Sequence, residues 1–194
     1  MAQILDLSKR FTQEQIEAAG RSANTSRDLP AGGYVCEIVS ATLNDDQATG
    51  KANIELHVDV CEGEYSGYFQ SLEDRYGFWG LRGWMSFKES QLPSFQRTCA
   101  AICNSNPGFI FNPLAGATDI DTLKGKKIGV VVGKEEYESN GDVREKNTVT
   151  RFVEVEKIKT NSFGKIPALK KLNKKPVDTS SFMSIDETVA IPFA

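Results

Sequence analysis

No run of apolar residues in this 194-residue chain approaches the roughly 18 that a membrane span needs. The opening MAQILDLSKRF has no apolar stretch behind a basic start, so no secretory signal is expected. Histidine occurs once, and His57 falls on the polar side of a strand pattern, where it reads as an exposed side chain with no catalytic part. The cysteines Cys36, Cys61, Cys99 and Cys103 lack the paired CxxC spacing of a zinc site. They read as small apolar side chains of a reducing compartment. The segment KGKKIGVVVG (124–133) is not a phosphate-cradling GxxxxGK[ST] loop, and no helix is expected after it. Neither a nucleophile elbow nor HExxH is present. These absences imply no metal, no cofactor and no enzyme, and a soluble, cytoplasmic protein.

What is present is a lopsided charge distribution. The net charge of −3 conceals 9 Lys+Arg against 16 Asp+Glu in residues 1–123, then 14 against 7 in residues 124–175, then none against 3 in the remainder. A basic second half in an acidic protein points toward a polyanion partner.

The pattern of elements is mainly β. Thr12 to Gln15 fits a capping box opening a short helix to about Ala19. Gly20 can stop that helix, and Asn24 to Gly33 reads as linker; the N-terminal helix and linker are assigned to residues 1–28. Tyr34–Leu43 and the alternating ANIELHVDVCEG (52–63) predict the first two strands. In the second, Ile54, Leu56, Val58 and Val60 share one face, and Asn53, Glu55, His57 and Asp59 the other. Tyr68–Leu72 is expected as a third strand, and the glycine-rich Asp74–Lys88 as irregular. Pro93 opens a helix to about Asn104, with Phe95, Cys99, Ile102 and Cys103 on its apolar face. Strands over 124–137 and 146–158 flank a turn at Asn140-Gly141.

Five antiparallel strands with one helix between the third and fourth is the order of the OB-fold, a small Greek-key barrel. Other small barrels and an α+β sandwich share this periodicity. The expected domain spans 29–160, followed by a basic linker 161–183 and an acidic, hydrophobic tail 184–194, SIDETVAIPFA.

The chemistry resides in interleaved aromatic and basic residues. A protein binds single-stranded nucleic acid by stacking bases on aromatic faces and pairing phosphates with Lys or Arg. The stacking candidates are Tyr68, Phe69, Tyr76, Phe78, Trp79 and Trp84. The phosphate candidates are Arg75, Arg82, Lys88, Lys126, Lys127, Arg144, Lys146 and Arg151. Any one of these aromatics, taken singly, is better explained as core filling. The expectation concerns the set.

Several stretches carry a family resemblance: GYVCEIVSA with IELHVDVCEGEYSGYF, WMSFKESQLPSFQRTCAAICNSNPGF, LKGKKIGVVVGKEEYESNGDVR and GKIPALKKL. In this order they resemble a phage-encoded family of replication-module proteins regarded as OB-fold single-stranded DNA-binding proteins. The resemblance covers about residues 29–172. It implies DNA binding without sequence preference, in phage replication or recombination, in the bacterial host cytoplasm. It assigns no contact residues, and self-assembly is left open.

The tail separately resembles the acidic, Ile-Pro-Phe ending of bacterial single-stranded DNA-binding proteins. That likeness implies docking of replication or recombination proteins through Asp186, Glu187, Ile191, Pro192 and Phe193. The acids are fewer here, and Ala194 follows Phe193. The alternatives are a protein-interaction accessory of a recombination system and a metal-dependent nuclease.

Overall fold

A computed structural model describes residues 12–15, 29–46 and 51–172. The tail 184–194, most of the N-terminal unit and the end of the basic linker lie outside the described residues. At Thr12–Gln15 the capping box is formed. The Thr12 backbone N–H donates to Gln15 Oε1 (2.9 Å), and the Gln15 N–H donates to Thr12 Oγ1 (3.2 Å).

Five strands follow: β1 (Gly32–Asp46), β2 (Lys51–Val60), β3 (Arg82–Ser86), β4 (Lys127–Ser139) and β5 (Asp142–Val153). Among the described residues from 29 on, three α-helices accompany them: α1 (Tyr68–Tyr76), α2 (Leu92–Ser105) and α3 (Val155–Lys159). The strands form one sheet in the order β3-β2-β1-β4-β5, every neighbouring pair antiparallel. α2 lies between β3 and β4, as expected from the apolar stripe behind Pro93.

The alternation in β2 holds. Ile54, Leu56, Val58 and Val60 are buried together with Ile38, Leu81, Met85, Phe95, Ile102, Ile128 and Val130. At the β4–β5 turn, Asn140 and Gly141 both have positive φ (54° and 84°), as a tight hairpin demands.

Three local expectations are corrected. Residues 68–72 are not the third strand but the start of α1. Asp59, ten residues upstream, sets the start of this helix. Its buried carboxylate accepts the N–H groups of Phe69 (2.8 Å), Gln70 (3.2 Å) and Val60 (2.8 Å). It thereby satisfies donors that a helix start leaves orphaned. Burial pushes this carboxyl above its ordinary range, against the pull of the three N–H groups.

The true third strand is Arg82–Ser86, inside the glycine-rich stretch expected to be irregular. Gly83 permits it: a methyl group there would overlap the Phe152 ring of β5. That contact brings the two edge strands of the sheet against each other, so the sheet curls toward a barrel.

Residues 161–172 are likewise not a free linker. The Lys170 N–H donates to Lys134 O (3.0 Å), and the Glu136 N–H donates to Lys170 O (2.9 Å). Arg151 Nη2 donates to the carbonyls of Phe163 (2.7 Å) and Lys165 (2.8 Å). This strap and α3 cover the second face of β4, where Ile158 fills the space above Gly129. β4 is therefore buried on both faces from Ile128 to Gly133, and the fifth strand ends at Val153 rather than near 158.

Gly83→Ala is expected to lower stability by about 1–3 kcal/mol through overpacking against Phe152. Urea denaturation measures this, and an unchanged midpoint would contradict the β3–β5 approach.

Candidate nucleic-acid interface

The alternation that buries one face of β2 presents Asn53, Glu55 and His57 on the other. β3 adds Arg82, Trp84 and Ser86 in register: Glu55 lies opposite Trp84, and His57 opposite Arg82. Glu55 is the hub of this face. It pairs with His57 Nε2 (3.0 Å) and accepts from Arg82 Nη1 (3.4 Å) and Trp84 Nε1 (3.4 Å). Burial alone would raise its carboxyl. The hydrogen bonds from His57 and Trp84 and the charge of Arg82 outweigh burial and hold it below the usual range. His57 is half-buried rather than exposed. Its ring stacks on Trp79 at 5.9 Å and 10°.

The two tryptophans have opposite fates. Trp79 is 7% exposed and donates from Nε1 to Val58 O (3.2 Å). It is a core residue with its polar atom satisfied. Trp84 is 55% exposed. Tyr68 and Phe69 are also corrected to core residues, packed edge-to-face at 5.0 Å in the first turn of α1. No base can reach the faces of these three buried aromatics in this structure.

Tyr76, Phe78 and Trp84 remain exposed, and Phe87 joins them. Tyr76 and Phe78 have ring centroids 6.1 Å apart, with the Arg75 guanidinium 5.9 Å from the Tyr76 ring. Lys88 follows β3 and is exposed. The stretch Arg75–Lys88, which contains β3, therefore supplies exposed aromatic and basic side chains.

The remaining basic candidates do not join it. Lys127 binds Glu62 (2.8 Å), which also holds Lys159 (3.1 Å), near the end of α2. These lysines hold the Glu62 carboxyl below its usual range, and the hydrogen bond and charge of Glu62 in turn raise Lys127. Lys126 lies 4.6 Å from the Phe109 ring centroid. Arg144 pairs with Asp142 (4.0 Å), and Lys146 with Glu135 (3.6 Å), on the β4–β5 hairpin. Arg151 is committed to the strap.

A groove missed by sequence reasoning adjoins Trp84. It runs between α2 and β5, with a volume of about 600 Å³, and Ser94, Arg97, Thr98 and Phe152 are among its walls. Arg97 was missed because its helical position identifies a solvent-facing residue but not the strand across from it. A second concavity of about 620 Å³ lies between α2 and residues 109–115, walled by Cys99, Cys103 and Leu114. All four cysteines are free thiols, and burial pushes Cys99 up to about 11. Among the described residues, no three His, Cys, Asp or Glu side chains converge as a metal site requires.

No protein-family model matches the chain, and no curated protein matches it significantly. The described helices include none long and apolar enough to cross a membrane.

Trp79→Ala is expected to cost about 3–5 kcal/mol of stability. Trp84→Ala is expected to stay within about 0.5 kcal/mol of the parent. Equal losses in denaturant titrations would contradict the burial assigned here.

Proposed function

We propose that this chain binds single-stranded DNA without sequence preference, in phage DNA replication or recombination in the bacterial cytoplasm. We read its sheet as an OB-fold barrel, with protein partners recruited through residues 184–194. The observation that carries the reading is the exposed Trp84 beside Arg82 on the β2–β3 face, with Tyr76, Phe78, Phe87 and Lys88 also exposed nearby in the chain. Strand order supports it as well. If the β3–β5 approach is taken as closure, the order around the barrel is 1-2-3-5-4, with the helix after strand three. In OB-folds it is the face of strands two and three, with the 1–2 and 4–5 loops, that holds oligonucleotides.

Stacking on Trp84 and contacts from Arg82 and Lys88 to phosphates require no base-edge hydrogen bonds, so binding tolerates any sequence. Glu55 holds the Trp84 indole edge and tempers the Arg82 charge. This favours a strand that slides over one that locks to a particular sequence.

Protein interaction is the second reading. It is favoured by the concavity between α2 and residues 109–115, where Ile110 is 82% exposed and Leu114 also stands out. A nuclease role has no converging ligand set among the described residues in its favour.

Fluorescence anisotropy of labelled oligo-dT over a salt series tests the proposal. The log–log slope is expected near −0.7 per phosphate neutralised. Trp84→Ala is expected to weaken binding by about 1–3 kcal/mol. Absence of binding at low salt would overturn the reading.

A further inference from the structure

We infer that the bound strand does not end at the β2–β3 face but turns past Trp84 into the groove between α2 and β5, where Arg97 takes a phosphate. This rests on the single-stranded DNA reading above. Trp84 belongs to both surfaces: its Nε1 donates to Glu55 on the open face, and the same residue walls the groove. A strand stacked on its indole therefore has a continuous route onward.

The groove exists because the facing stripe of α2 is short. Ser94, Thr98 and Ala101, spaced four and three residues apart, point no large side chain toward β5. Its volume of about 600 Å³ falls within the roughly 300–1,000 Å³ of sites that take small organic groups.

Charge selects an anion for it. Arg97 is exposed at the groove and, among the described residues, pairs with no carboxylate. The acid that lines the groove, Glu154, is already engaged, accepting from Asn104 Nδ2 (3.2 Å) and pairing with Lys157 (3.5 Å). Phe152 and Val149 supply apolar wall, as a base or sugar wants, and Arg97 supplies the forked donor that suits a phosphate. A second protein's acidic peptide is the competing occupant. Continuity with the aromatic face favours the nucleic acid, because an acidic peptide has no use for the stacking surface.

The test is oligo-dT anisotropy over a salt series with the whole chain. Arg97→Ala is expected to weaken binding roughly tenfold at low salt, the worth of one charge-assisted hydrogen bond. It is also expected to reduce the salt slope by about 0.7. Arg97→Lys should restore the slope, and Lys127→Ala, held by Glu62 and not among the groove walls, should leave it unchanged. A thermal melt of each variant, matching the parent, ties the loss to the groove.

If Arg97→Ala keeps the parental slope while Trp84→Ala still weakens binding, the groove inference falls and the DNA reading stands. If the parent binds no oligo-dT, the DNA reading itself falls. Binding of a poly-glutamate peptide that depends on Arg97, without binding of oligo-dT, assigns the groove to a protein partner and overturns both.

Discussion

The packing of Phe152 over Gly83 is the contact on which the rest depends. A sheet ordered β3-β2-β1-β4-β5 has two free edges, and free edges invite unwanted pairing. Seating the Phe152 ring on a residue without a side chain brings these edges together. The next residue along β3 then points outward by strand alternation, so Trp84 stands at the seam. From that position it touches Glu55 on one side and walls the α2–β5 groove on the other. Core packing at Gly83 and surface chemistry at Trp84 are consecutive consequences of one strand's pleat.

The electrostatics are less simple than a basic half against an acidic half. Many cations of residues 124–175 are engaged within the fold. Lys127 and Lys159 share Glu62, Lys146 and Lys170 share Glu135, and Lys157 holds Glu154. Arg151 fastens the strap through two carbonyls. Exposed pairs of this kind contribute little stability each, and Arg82 keeps one of its own with Glu55. The basic groups beside exposed aromatics or the groove, Arg75, Arg82, Lys88 and Arg97, come from the acidic half of the chain.

Local patterns were legible where local physics decides them. The alternation of β2, the apolar stripe of α2, the Asn140-Gly141 turn and the Thr12 capping box each depend on residues close in sequence, and each is present. α1 was not legible as a helix, because its first turn is capped by Asp59 from a neighbouring strand. β3 was hidden by the glycines in and before it, and the value of Gly83 appears only when Phe152 arrives from β5. The strap 161–172 looked like linker because its anchors are backbone groups of β4 and the Arg151 side chain. Within the site, exposure sorted the aromatics. Composition alone could not tell Trp79, stacked under His57, from Trp84, five residues away.

The central claim is that Trp84, and not Trp79, meets the bases. Intrinsic tryptophan fluorescence tests it directly, since these are the chain's 2 tryptophans. Oligo-dT at low salt should quench the parent. Trp84→Phe should keep binding by anisotropy but lose the quench. A quench that persists in Trp84→Phe, or binding by the parent with no quench at all, would contradict the account.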